Sequence, residues 1–135
     1  MFGCLNLKRR RFYWKQSKQA NSRYFCSFLT QLRQGFPGKE ILLILDNASI
    51  HKSKHTLRYL KRWPQIHLFY LPPYSPEYNP VELIWKWIKP KVHGFSFTGN
   101  LSEVVKKFRR HIWHFNAGWL PNPINLKLET YAKLL

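Results

Sequence analysis

EILLILDNAS, residues 40 to 49, is an apolar run that stops at the only aspartate of the chain. Five aliphatic residues in a row are typical of a β-strand that is covered on both faces. In open α/β sheets, ligand sites form beyond the carboxyl ends of the strands, where a side chain is held rigidly and still meets a ligand. Asp46 is therefore a candidate site residue, although an Asp-Asn pair is also an ordinary start for a turn.

Periodic segments on both sides of this run predict the other elements. Two short runs around the basic turn 8–10 predict a hairpin, and the apolar spacing after Asn21 predicts a helix that ends at Gly35 and Pro37. Ser53 is the predicted N-cap of a short helix. The order β-β-α-β-α-β-α-α predicts an α/β fold with a mixed sheet flanked by helices. The later segments are a strand at 67–71 and helices at 81–88 and 101–115.

The composition of the chain points to a polyanion as its partner. The 135 residues fit one domain, and 23 Lys and Arg against six acids give a formal charge of +17. The longest aliphatic run, residues 41–45, is too short to span a membrane. Near Met1 the apolar residues come before the charged ones, which is the reverse of the order in a secretory signal. We expect a cytoplasmic, nucleoid-associated protein that binds nucleic acid, with no membrane or small-molecule partner and with Cys4 and Cys26 as free thiols.

Glu82 is a second candidate, and it has a simple structural explanation. With Asn79 as N-cap and Pro80 in the first helical position, Glu82 completes a capping box. Together with Asp46, however, it suits another purpose. Carboxylates from separate elements can hold a pair of Mg²⁺ ions for phosphoryl transfer, and Mg²⁺ prefers oxygen ligands.

Two segments resemble a known family. LDNASIHKSK, residues 45–54, and LPPYSPEYNPVELIWKWIK, residues 71–89, closely resemble the second and third catalytic blocks of DDE transposases of the Tc/mariner-type superfamily, particularly its bacterial insertion-sequence branch. The resemblance runs from about Phe2 to Phe97. It implies a ribonuclease-H-like (retroviral-integrase-like) domain that acts on DNA, in which Asp46 and Glu82, with 35 residues between them, hold two Mg²⁺ or Mn²⁺ ions.

Several other polar residues have two interpretations. His51 matches a histidine common in the family's Asp-Asn block, and we expect it to contact DNA or to orient Asp46; a surface or capping histidine is the alternative. Glu77 is interpreted as a loop charge. The pairs His51/His55 and His111/His114 have helical spacing, but no third ligand is in view, so we predict no zinc site.

Basic and aromatic residues follow Glu82 along the chain. We predict phosphate-binding roles for three lysines, with a solvated helix face as the alternative. The tryptophans are interpreted as core or dimer packing rather than as base-stacking platforms. The lysines are Lys86, Lys89 and Lys91, and the tryptophans are Trp85, Trp87 and Trp113.

The sequence departs from the family pattern at one important point. The family uses three carboxylates. The first carboxylate lies on a central strand that precedes the segment resembling residues 2–7, and it has no counterpart here. We therefore expect an N-terminally truncated fragment lacking the central strand: a partial catalytic domain at 1–115 and a tail at 116–135. It would be inactive alone. Its expected partners are DNA and either an upstream-encoded transposase half, which would carry the missing parts, or a second copy of the chain in a homodimer.

Two rival functions stay open at this point. One is a non-catalytic basic DNA-binding protein or regulator of full-length transposase. The other is a small basic RNA-binding protein, for which the charge fits but the carboxylate segments have no purpose.

Overall fold

The structure is a computed structural model, and it describes residues 1–73, 79–92 and 100–118. Their elements follow the predicted order with one short addition, a 3₁₀ turn after β3, and they confirm the α/β class. In chain order the elements are β1 (Phe2–Asn6), β2 (Arg11–Lys15), α1 (Ser22–Gly35), β3 (Ile41–Leu45), the 3₁₀ turn (Ser49–His51), α2 (Lys54–Arg62), β4 (Ile66–Tyr70), α3 (Pro80–Val92) and α4 (Leu101–Asn116). None of the helices in these ranges has the length and apolar character needed to cross a membrane.

Side-chain caps explain where three helices begin. The Asn21 side chain accepts the N–H of Tyr24 at 3.0 Å before α1. Ser53 accepts the N–H of Thr56 at 3.2 Å before α2, as predicted. The Asn100 side chain likewise accepts a backbone N–H before α4. Each oxygen satisfies a backbone donor that has no partner inside its helix.

The strands form two small sheets. β1 pairs with β2, and β3 pairs in parallel with β4, from Ile41 opposite Ile66 to Leu45 opposite Tyr70. This differs from the single mixed sheet that we predicted. Strands join a sheet only through backbone hydrogen bonds, and among the described residues neither β1 nor β2 pairs with β3 or β4.

One face of the β3–β4 pair is covered and the other is exposed. The covered face packs against a core that includes Phe25 and Leu29 of α1. On the opposite face, Leu42 is 53% exposed and Phe69 is 47% exposed. The prediction that both faces of β3 are covered is therefore wrong for the described residues, because alternate side chains point to opposite faces and α1 and α2 cover only one.

The chain divides into two compact units, which are described separately. The first comprises residues 1–4 and 13–79, and its core lies between β3–β4 and the helices α1 and α2. Phe2 contributes to this core through ring contacts with Phe25 and Phe28. Lys15 Nζ donates to Ser27 Oγ at 2.7 Å, which ties β2 to α1.

The second unit comprises residues 5–12 and 80–135. Within its described part, α3 packs on α4, and the Trp85 ring lies against the rings of Phe12 and Phe108. The Asn116 side chain accepts the Phe12 N–H at 2.7 Å and donates to the Phe12 carbonyl at 2.9 Å. Trp85 therefore has the predicted packing role, whereas Trp113 is 55% exposed.

The two cysteines are free thiols, as predicted. Burial raises the pKa of the Cys4 thiol to about 12. Burial also raises the pKa of Cys26, although a hydrogen bond with Thr56 opposes that shift. Both thiols are therefore protonated at neutral pH, when they are weak nucleophiles.

Candidate functional site

Asp46 directly follows the last residue of β3, as predicted. The preceding residue, Leu45, is buried, and its carbonyl accepts the N–H of Leu71 at 2.8 Å. The Asp46 side chain is 65% exposed, and its Oδ1 accepts the N–H of Ala48 at 3.2 Å. Both interpretations of this residue are therefore compatible: Asp46 starts the turn, and its carboxylate still faces solvent.

His51 holds the backbone and side chain of Asp46. Its Nδ1 lies 3.1 Å from the Asp46 carbonyl oxygen and 3.2 Å from Oδ1. A tautomer that carries its proton on Nδ1 can donate to both oxygens. The His51 residue is only 8% exposed, and its ring lies against Phe25 at 4.5 Å between centroids. Of the two roles proposed for His51, this burial favours orienting Asp46 over contacting DNA.

Two hydroxyl groups fix the 3₁₀ turn that carries His51. Thr56 is fully buried, and its hydroxyl donates to the Ile50 carbonyl at 2.7 Å. The Tyr70 hydroxyl donates to the His51 carbonyl at 3.1 Å. Burial raises the pKa of Tyr70, which keeps this donor protonated. Sequence reasoning missed both residues, because no local pattern connects Tyr70 to a carbonyl 19 positions earlier.

Glu82 lies in the first turn of α3, two residues after Pro80 begins the helix. Its carboxylate is half-buried. A negative charge is favourable at this end of a helix, because the first backbone N–H groups carry partial positive charge. Asp46 and Glu82 belong to different compact units. Their proximity, on which a shared metal site depends, stays a prediction.

The two candidate carboxylates, Asp46 and Glu82, offer the type of ligand atom that a hard divalent cation prefers. Asp46 offers an exposed carboxylate at a rigid strand end, and Glu82 offers a second one on a helix. Carboxylate oxygens are the ligands that Mg²⁺ and Mn²⁺ take in proteins. Within residues 1–73, 79–92 and 100–118, however, no three His, Cys, Asp or Glu residues are grouped so that they could hold a metal ion. Glu77 lies outside these ranges.

The predicted phosphate-binding lysines are all exposed. Lys86, Lys89 and Lys91 lie on α3, and Lys91 Nζ is 5.4 Å from the centre of the Trp87 ring. A second set of exposed cations was missed, although its sequence KHTLRYLKR, residues 54–62, contains no acid to balance them.

Comparison with known proteins identifies the family. The model of the family described as DDE superfamily endonuclease matches residues 1–105 of this chain. The chain belongs to the DDE superfamily endonucleases. The resemblance of residues 45–54 and 71–89 to DDE transposases is thereby confirmed, and the match includes both Asp46 and Glu82.

Two relatives extend this finding. The chain is 34% identical over 104 residues to the insertion element IS630 uncharacterized 39 kDa protein of Shigella sonnei. The matched segment covers 76% of this chain and 29% of that protein. It is 42% identical over 82 residues to the uncharacterized protein y4pE/y4sA of Sinorhizobium fredii (strain NBRC 101917 / NGR234), covering 61% of this chain and 53% of that protein. This DDE superfamily chain thus spans about a third to a half of the relatives that it matches.

Proposed function

We propose that this chain is part of the catalytic domain of a DDE transposase, in which Asp46 and Glu82 hold divalent metal ions for DNA cleavage and strand transfer. The observation that carries the proposal is the family match over residues 1–105 together with the setting of Asp46. This carboxylate is exposed at the end of a parallel strand that is covered on one face, and it is oriented by the buried His51.

The residues of this chain have distinct parts in that reaction. Asp46 and Glu82 provide the oxygen ligands, and His51 keeps the Asp46 carboxylate in one orientation. A pair of bound ions would activate the attacking oxygen and stabilise the leaving oxygen of the phosphodiester. Lys86, Lys89 and Lys91 hold the DNA backbone through their positive charges.

The missing parts of the catalytic domain come from another polypeptide segment in this proposal. Glu40 is a poor third ligand, because it pairs with His67 at 2.6 Å at the opposite end of β3 from Asp46. The separate β1–β2 and β3–β4 sheets support an additional central strand that joins them and carries the third carboxylate. These 135 residues alone are then inactive, because the third carboxylate lies outside them. The boundary near residue 115 belongs to the same proposal.

A chimera tests the catalytic role. The segment of the Shigella sonnei protein that matches this chain is replaced by residues 1–105, and nicking of supercoiled plasmid is measured with Mg²⁺ or Mn²⁺ and with EDTA. We expect metal-dependent nicking by the chimera and none by the isolated chain. Asp46→Asn and Glu82→Gln should each reduce the rate at least a hundredfold, whereas the control Glu103→Gln, on α4, should leave it unchanged.

Two outcomes count against this proposal. If the isolated chain nicks DNA and Asp46→Asn abolishes that nicking, the prediction that the chain is inactive by itself is refuted. Nicking by the chimera that survives Asp46→Asn would refute the metal-ligand role. A chain that binds duplex DNA but yields a chimera unable to nick is instead the non-catalytic DNA-binding protein, and preference for RNA indicates the RNA-binding protein.

A further inference from the structure

The outer surface of α2 is strongly cationic. Lys54, Arg58 and Lys61 occupy positions i, i+4 and i+7, so they share one side of the helix, and all three are exposed. Leu57 lies among them and is 47% exposed. On the inner side, Thr56 is fully buried. We refer to Lys54, Leu57, Arg58 and Lys61 as the α2 face.

The charges of the α2 face are not balanced by acids. The helix contains no Asp or Glu, and within the described ranges none of the three cations of the α2 face forms an ion pair. Two nearby cations, in contrast, lie over aromatic rings: Lys52 over the Tyr70 ring at 4.6 Å and Arg33 over the Trp63 ring at 3.6 Å. The α2 face therefore presents free positive charge to solvent.

This arrangement works against the stability of the helix. Lys54 is in the first turn, where the partial positive charge of the backbone N–H groups repels a cation. Lys54 and Arg58 repel each other at spacing i, i+4, and so do Arg58 and Lys61 at i, i+3. The helix is held instead by the Ser53 cap and by its buried side. A polyanion bound to the α2 face would turn these repulsions into attractions.

We infer that the α2 face binds the phosphodiester backbone of duplex DNA. Lys54 and Lys61 are two helical turns apart, about 10 Å, which is comparable to three base-pair steps of a duplex. The choice of DNA as the polyanion rests on the proposed function. None of the four residues of the α2 face is a proposed metal ligand, so this face would bind DNA whether or not metal is present.

The salt dependence of binding tests this inference. Fluorescence anisotropy of a labelled duplex is measured in EDTA over a range of salt concentrations, with the full chain. The triple variant Lys54→Gln/Arg58→Gln/Lys61→Gln should lower the slope of log K against log salt by about 2 to 3, if each cation meets one phosphate. The control Lys18→Gln/Arg23→Gln/Lys39→Gln removes the same number of exposed charges of the same types from the same compact unit. It should change the slope by less than about 1.

A single charge reversal separates binding from folding. Lys54→Glu places an acid in the first turn of α2, where it favours the helix. We expect the urea midpoint of this variant to rise above that of the wild type while its DNA affinity falls at least fivefold. A loss of affinity accompanied by a lower midpoint would mean that the substitution acts through misfolding, and would count against the inference.

Three results would overturn the inference. They are no binding of the wild type to duplex DNA at low salt, equal losses in the α2 and control triples, and a stronger effect of the α2 triple on single-stranded RNA than on the duplex. Because these assays contain EDTA, they do not depend on the metal ligands. A failure here leaves the nicking result of the chimera standing, and the reverse is also true.

Discussion

Asp46 owes its position to side chains that have no chemistry of their own in the proposed reaction. The His51 ring contacts its carbonyl and carboxylate, and hydroxyls from Thr56 and Tyr70 fix the turn around His51. An exposed carboxylate on a fixed backbone loses little freedom when it binds a cation, which favours binding. The sequence predicts the strand-end position of Asp46, and the family resemblance offers His51 as the residue that orients it, but no local pattern predicts the hydrogen bonds of Thr56 and Tyr70.

Replacing Thr56 should weaken the fold around the site. Thr56→Val keeps the shape of the side chain and removes the donor to the Ile50 carbonyl, which leaves this partly buried acceptor without its side-chain partner. We expect a loss of about 1 to 3 kcal/mol in the free energy of unfolding. Urea denaturation measures it. Thr30→Val is the control, because Thr30 is only half-buried and should cost less; an equal or smaller loss at Thr56 would contradict the expected role.

His111 should make stability depend on pH. Burial, with contributions from Arg110, Lys91 and His114, lowers its pKa below the ordinary 6.5. Between the folded and unfolded pKa values, the unfolded chain binds a proton that the folded chain does not. Its contribution is therefore fully present above pH 6.5 and is lost as the pH falls through the folded pKa.

The His111→Gln variant isolates this effect. Its free energy of unfolding should fall less steeply than that of the wild type as the pH is lowered from 7 to 5. The histidine proton signals in NMR spectra report the pKa of His111 directly. An NMR pKa at or above 6.5 would show that the ring is not held in its neutral form.

At the scale of helices and strands, local patterns were sufficient for most of the chain. The Ser53 cap and the Gly35 end of α1 follow from capping and periodicity, and they are confirmed. The apolar run of β3 predicted a strand but not its surroundings. Partners of a strand are decided by residues far away in sequence, so neither the division into two sheets nor the exposed face could be predicted from residues 40–46.

The two faces of β3 should respond differently to substitution. Leu45 is 9% exposed and Leu42 is 53% exposed, so the two leucines form a matched pair on one strand. Leu45→Ala should cost about 2 to 4 kcal/mol of unfolding free energy, and Leu42→Ala should cost less than about 1 kcal/mol. Equal losses in urea denaturation would indicate that Leu42 is covered in solution.

At the scale of the whole molecule, charge and family agree. A formal charge of +17 and membership of the DDE superfamily endonucleases both fit a protein that acts on DNA. The carboxylates that would perform the chemistry lie in different compact units, and the chain spans only part of its relatives. The spatial relation of Asp46 to Glu82 could not be read from the sequence, because spacing along a chain does not fix a distance.

That relation can be measured directly by pulsed electron paramagnetic resonance. Nitroxide labels are attached through Asp46→Cys and Glu82→Cys in a chain that also carries Cys4→Ala and Cys26→Ala. Ligands of two ions about 4 Å apart lie within roughly 10 Å of each other, so we predict a main inter-label distance below about 25 Å. A main distance of about 35 Å or more, near the full diameter of a domain of this size, would contradict a shared metal site.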